Sequence, residues 1–285
     1  MQVTNEMLKG AIDMHLHCGP DTMPCIDPIE AAKQARQAGM RAIVLKNHHY
    51  TTAPLAEIVG QLVPGIEVFG GICLDYEVGG INPHALEVCG ELGGKVVWMP
   101  TLSSSNSRGK ISRALNLKLE GEGFSILSAS GQLIPEIDKV LDIIKKYDMV
   151  LASGHISPEE VFALVTAAQK KDIRKLLITH ASSIDVIERG LSVEEQRQLA
   201  GMGVFLEYVG VELLHESLGK GKDLMTGMIK AVGVEHCVIS TDMGLSFEPP
   251  PVEGMSTAIS SLLRKGFTEY DLETMIKINP AKLLG

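Results

Sequence analysis

Eight short apolar or β-branched runs, each followed by an amphipathic stretch of helical length, recur almost to the end of the 285-residue chain. This alternation limits the fold more than any other feature of the sequence. The runs span residues 11–15, 41–46, 67–73, 95–99, 149–153, 175–179, 204–208 and 237–241. Several are apolar at nearly every position, as in Ala42-Ile43-Val44-Leu45 and Leu176-Leu177-Ile178, which is how a parallel strand covered on both faces reads. Strands that alternate with helices form parallel βα units, and eight of them predict a (β/α)8 TIM barrel, for which about 250 residues is typical.

Helix starts between the runs carry their own signatures. Asp27-Pro28-Ile29-Glu30 and Ser157-Pro158-Glu159-Glu160 each combine an N-cap oxygen, a proline at the first helical position and an acid two residues later. Asn82-Pro83, Ser192 to Glu195 and Thr268 to Asp271 repeat the theme, and these devices carry no chemistry. One connection is out of proportion: after the fourth strand, residues 101–134 run through a serine-rich segment and a glycine-rich, hairpin-like piece around Gly123 to Gly131. Long loops in compact domains are usually functional. The expectation is one domain over residues 1–285, with this lid-like insertion after strand four.

Charge and cysteine usage exclude several classes. Lys plus Arg number 26 against 35 Asp plus Glu, and no basic stripe interleaved with aromatics appears, so nucleic acid is not an expected partner. The opening ten residues lack the basic-then-apolar pattern of a signal peptide, and no apolar run reaches membrane-spanning length. A cytoplasmic protein without membrane contact, assembled as a homo-oligomer, is expected. Its 5 cysteines are scattered and contain no Cys-x-x-Cys, which argues against a disulfide framework and a structural zinc module.

In a parallel βα barrel, reactive groups sit where strands end and loops begin. Six of the 9 histidines fall at or just past such ends: His15, His17, His48, His49, His155 and His180. His15 and His17 are two apart on a strand, so their imidazoles point the same way and can close on one ion. Strand eight ends in Ser240-Thr241-Asp242. Neutral imidazoles with a carboxylate hold a catalytic divalent ion such as zinc and leave a position open for water, whose pKa the ion lowers toward about 7. A carboxylate placed like Asp242 can accept the proton and later return it to a leaving group.

With these elements in place, the pattern resembles the amidohydrolase superfamily of metal-dependent hydrolases. The matching residues are His15-Leu16-His17, His155, His180, Asp242 and the C-terminal Asn279-Pro280-Ala281-Lys282-Leu283-Leu284-Gly285, which is similar to that superfamily's closing helix. The resemblance implies that His15, His17 and Asp242 hold the more buried metal, and that His155 and His180 complete that site or hold a second ion. It also implies that Asp242 shuttles the proton. Binuclear members carry a bridging lysine or glutamate at the end of strand four, whereas this chain ends that strand in Trp98-Met99-Pro100-Thr101. Lys46, at the end of strand two, is the substitute, as a carboxylated bridge or as a cation holding a substrate carboxylate; a lysine snorkelling at the rim is the alternative. The metal complement is one or two ions, zinc first, with manganese, iron or nickel as alternatives.

Other residues carry weaker signals. His48 and His49 are adjacent, so only one can face the centre, as ligand or substrate contact. Cys18 is either a buried structural thiol or a thiolate ligand. Gly109-Lys110 lacks the first glycine and the following Ser or Thr of a phosphate loop, which rejects that reading. Arg108, Lys110 and Arg113 make the insertion locally basic, so Arg108 is a candidate contact for an anionic small-molecule substrate. The expected activity is metal-activated hydrolysis of an amide, cyclic amide or lactone carbonyl. The alternatives are decarboxylation or hydration of a small carboxylic acid, phosphoester hydrolysis, or a barrel that binds metal or ligand without catalysis.

Overall fold

A computed structural model describes residues 6–119, 121–182, 186–217 and 224–285. The first five residues of the polar N-terminal segment and the side chain of His215 lie outside this description. The strands are β1 (Ile12–His17), β2 (Ala42–Lys46), β3 (Glu67–Phe69), β4 (Gly71–Cys73), β5 (Val96–Trp98), β6 (Val150–Ala152), β7 (Leu176–Ile178), β8 (Phe205–Val209) and β9 (Cys237–Ser240). All eight expected runs form strand, and the third is divided at Gly70. Steric contact accounts for both glycines at that break: a Cβ at Gly70 would overlap the Thr52 carbonyl, and one at Gly71 would overlap the Val96 carbonyl and the Trp98 ring.

The chain clusters into two compact units. Unit 1 comprises Met1–Asn47, Thr52–Gly70 and Glu207–Gly285; unit 2 comprises His48–Thr51 and Gly71–Leu206. In unit 1, β1, β2 and β3 pair in that order, all parallel, with Ile12 opposite Ala42 and Ala42 opposite Glu67. The register of β1 against β2 shifts between Asp13 and Leu16. Every residue of β1 and β2 is buried, as strands covered on both faces require. The end of β9 is tied to β1 through the backbone, Asp242 N–H to the His15 carbonyl at 2.8 Å and His17 N–H to the Met243 carbonyl at 2.9 Å.

Unit 2 contains β4, β5, β6 and β7 as parallel neighbours, with Leu177 and Ile178 paired to Phe205 and Leu206. Its helix Pro158–Lys170 begins with the expected capping box, Ser157 and Glu160 satisfying each other's backbone N–H groups. Glu160 does a second job: its Oε1 accepts from Ser125 Oγ at 2.6 Å and from the Ile126 N–H at 2.7 Å, pinning the long insertion. Within that insertion, Arg108–Ala114 is helical and the hairpin-like piece exists as an antiparallel bridge between Leu127 and Leu133. No helix among the described residues is long and apolar enough to cross a membrane.

Candidate metal centre

In unit 1, Asp242 and Lys46 converge on His15 Nε2, and His17 joins them through the Asp242 carboxylate. Asp242 Oδ1 lies 2.8 Å from His15 Nε2 and 3.1 Å from His17 Nε2, and Lys46 Nζ lies 2.8 Å from His15 Nε2. The His15 and His17 rings sit 5.5 Å apart, tilted by 55°. His15 is wholly buried, while the Asp242 side chain keeps 14% of its surface exposed, so the cluster opens on the carboxylate side. Strand geometry explains the pairing of the histidines, because both lie in β1 with one residue between them.

Further buried carboxylates hold this cluster in place. Glu207, in β8 and with no exposed surface, places Oε2 3.2 Å from His15 Nδ1. That contact orients the ring so that Nε2 is the ligating atom, the usual carboxylate–histidine support of a metal ligand. Asp13 accepts the N–H groups of His15 (3.2 Å) and Thr241 (3.0 Å) and the Thr241 hydroxyl (2.6 Å), which joins the strand-one ligands to the segment bearing Asp242. Burial pushes the Asp13 carboxyl up to about 6 despite those hydrogen bonds. Asp242 itself has φ 53, a left-handed conformation that Asp tolerates better than most residues. Gly244, with φ 135, passes so close to the His17 carbonyl that any side chain would overlap it.

The electrostatics call for a cation. Burial and the Lys46 ammonium work against a charged His15, yet the Asp242 and Glu207 carboxylates outweigh them and raise its pKa to about 9. Lys46 and Asp242 also compete for a single nitrogen: His15 Nε2 cannot accept from the ammonium and donate to the carboxylate at once. A divalent ion removes the conflict, because His15, His17 and Asp242 can all turn lone pairs toward it. Their ligand atoms lie within 4.8 Å of one another, and imidazole with carboxylate is a donor set that holds zinc and related ions. The residues therefore fit a divalent metal.

The other residues predicted for the site are placed as follows. His155 and His180, both buried in unit 2, have ring centroids 4.9 Å apart at 73°. His180, with φ 55, also takes the left-handed conformation at its strand end. His48 is buried in unit 2 among Cys73, Asp75 and Thr101, and His49 is half-buried. Arg108 donates to the carbonyls of Leu102 (3.0 Å) and Gly121 (3.1 Å) and lies over the Tyr76 ring. Lys110 and Arg113 bond the Ile187 carbonyl and the Glu188 carboxylate. Burial, with Cys25, Asp21 and Asp27 nearby, pushes the Cys18 thiol up to about 12.

From sequence, Glu207 reads as either a barrel-interior residue near the site or a rim contact, and Asp13, Asp75 and Thr101 have no assigned role. A polar residue inside an apolar strand run was the available signal for Glu207 and Asp13. Asp75 and Thr101 carried none.

The fold is that of the TIM-barrel amidohydrolases. A probable dipeptidase, PvdM from Pseudomonas aeruginosa, superposes with a TM-score of 0.69 at 12% identity, covering 100% of this chain and 97% of its own. A lactonase from Listeria monocytogenes gives 0.58 at 12%, covering 98% and 96%. An organophosphorus hydrolase from Deinococcus radiodurans gives 0.60 at 14%, covering 97% and 92%. In sequence, the chain belongs to the family described as "Family of unknown function (DUF6282)", whose model matches residues 10–207. No curated protein matches it.

Proposed function

We propose that this protein is a divalent-metal-dependent hydrolase of small molecules, acting on the carbonyl of an amide, cyclic amide or lactone. The observation that carries the reading is the placement of Asp242 Oδ1 within 3.1 Å of Nε2 of both His15 and His17, with the Lys46 ammonium pressed on the same point. His15, His17 and Asp242 hold the ion, with zinc first among the candidates. His155 and His180 are the candidates for a second. Lys46 serves as a further ligand or holds a substrate carboxylate, and His48, His49 and Arg108 are the candidate substrate contacts. When bound, the ion supplies a Lewis acid that polarises the carbonyl and lowers the pKa of water.

The protein's own residues do the rest. Asp242 takes the proton of the attacking water and delivers it to the leaving nitrogen or oxygen, held for that task by its N–H bond to the His15 carbonyl. Glu207 fixes the His15 ring, and Asp13 ties the backbones of His15 and Thr241 together. Cysteines without disulfide partners, four of the five buried, fit a reducing compartment such as the cytoplasm. The dipeptidase, lactonase and organophosphorus hydrolase of similar fold define the substrates to try first.

Asp242→Asn tests the reading. On any dipeptide, lactone or phosphotriester the wild type turns over, kcat at saturating zinc should fall by about a thousandfold, the scale of general acid–base catalysis. Wild-type turnover in that variant would contradict the mechanism.

A further inference from the structure

The N–H groups from Asp242 to Ser246 lie past the end of β9 and before the helix Pro251–Arg264, so each needs a partner outside regular structure. All of the partners belong to unit 1. Asp242 and Ser246 donate to backbone carbonyls, those of His15 and Pro24, both at 2.8 Å. Met243 N–H reaches the Thr241 hydroxyl at 3.4 Å. The middle pair shares one acceptor: Glu248 Oε2 takes the Gly244 N–H at 3.1 Å and the Leu245 N–H at 3.0 Å. Glu248 reaches them because its own N–H donates to the Leu245 carbonyl at 2.9 Å, closing a turn that folds its side chain back over the segment.

That segment carries a ligand under constraint. Asp242 opens it with φ 53, and Gly244 passes the His17 carbonyl with φ 135, where no side chain fits. A residue other than glycine stays in the left-handed region only where its surroundings over-determine it. Here the His15 carbonyl fixes the chain at Asp242, His17 N–H holds the Met243 carbonyl at 2.9 Å, and Ile26 N–H holds the Gly244 carbonyl at 2.8 Å. Glu248 adds two further ties from a single oxygen. Gly244 and Leu245 are buried, so amides that lost this acceptor would have to shift to find another. Asp242 would shift with them, drawing Oδ1 off the point where it lies 2.8 Å from His15 Nε2 and 3.1 Å from His17 Nε2.

We propose that Glu248 is a positioning residue of the metal centre: by accepting the Gly244 and Leu245 N–H groups it holds the backbone at Asp242 in the conformation that brings its carboxylate onto His15 and His17. The assignment rests on the hydrolase reading and adds to it a residue that touches neither metal nor substrate. What Glu248 contributes is an acceptor oxygen at the right reach. Its charge is incidental to the task, and this separates the role from simple electrostatic attraction for a cation.

Three variants of the full-length protein test it, Glu248→Gln, Glu248→Asp and Glu248→Ala, with zinc affinity read by competition with a chelator and amide exchange at Gly244 and Leu245 read by NMR. Glutamine keeps an oxygen at the same reach without the charge, so zinc affinity should fall by no more than about threefold, the scale of a part-exposed charge. Aspartate keeps the charge one methylene short of the amides. Zinc affinity should then fall by about 10–100-fold, as it should in Glu248→Ala. Exchange should stay slow in wild type and Glu248→Gln and quicken in the other two. Should Glu248→Ala not fold, the glutamine and aspartate variants decide between themselves. Wild-type zinc affinity in Glu248→Asp, or a larger loss in Glu248→Gln than in Glu248→Asp, would overturn the assignment. Failure of the hydrolase reading is distinguishable, because wild type then takes up no zinc through His15, His17 and Asp242, while exchange at Gly244 and Leu245 still follows the acceptor.

Discussion

Two buried clusters, one in each unit, contain a histidine, an aspartate and a third group within ligating distance, and they differ in how their protons can be arranged. In unit 2, the Thr101 hydroxyl links the His48 ring to one oxygen of Asp75, and the backbone N–H groups of Thr101 and Ser103 donate to the other. In unit 1, Lys46 and Asp242 both press on His15 Nε2, which cannot accept from the ammonium and donate to the carboxylate at once. Both groups have donor atoms close enough to share an ion. Proximity of ligand types thus does not by itself separate a metal centre from a hydrogen-bonded scaffold; the competition of an ammonium and a carboxylate for one imidazole nitrogen is what sets the first cluster apart.

The largest effect expected from this contrast concerns folding. Asp75→Ala removes the acceptor of several buried donors and should destabilise the protein by about 3 kcal/mol in denaturant unfolding while leaving its metal content unchanged. A loss of metal in that variant would erase the distinction between the clusters. Next in size, Glu207→Gln should weaken zinc binding by about 10–100-fold, the usual cost of removing a carboxylate behind a ligating histidine. Competition with a chelator measures it.

The smallest effect is one of pH. Burial, reinforced by the Asp242 charge, raises Glu248 from 4.5 to about 7 although it accepts the Gly244 and Leu245 N–H groups. A carboxyl raised on folding contributes stability that is fully present below about 4.5 and is lost as pH rises through about 7. Metal-free Glu248→Gln should therefore gain on wild type between pH 5 and pH 8 by roughly 1–3 kcal/mol. Parallel unfolding curves at the two pH values check it. A gain that vanishes with zinc bound would sharpen the comparison, since a cation at Asp242 relieves the repulsion.

The fold was legible because βα repetition is a local pattern, written in apolar runs and helix caps such as Ser157 and Glu160. The break of the third strand at Gly70 was not, because its cause is the carbonyl of Thr52, eighteen residues earlier. Among site residues, histidines at strand ends stood out by type and position. Their supports did not: Glu207 lies 192 residues from His15, and Thr101 lies 53 from His48. A basic segment in the insertion suggested an anion, yet the partners of Arg108 are backbone carbonyls, which no residue pattern advertises.

The central claim is that His15, His17 and Asp242 bind a metal ion and the His48 cluster does not. Elemental analysis of the purified protein beside His17→Ala and Cys73→Ala tests it most directly. The wild type and Cys73→Ala should carry about one or two equivalents of zinc or another divalent ion, and His17→Ala should lose about one equivalent. Fewer than about half an equivalent in the wild type, not restored by soaking in zinc, or a loss confined to Cys73→Ala, would contradict it.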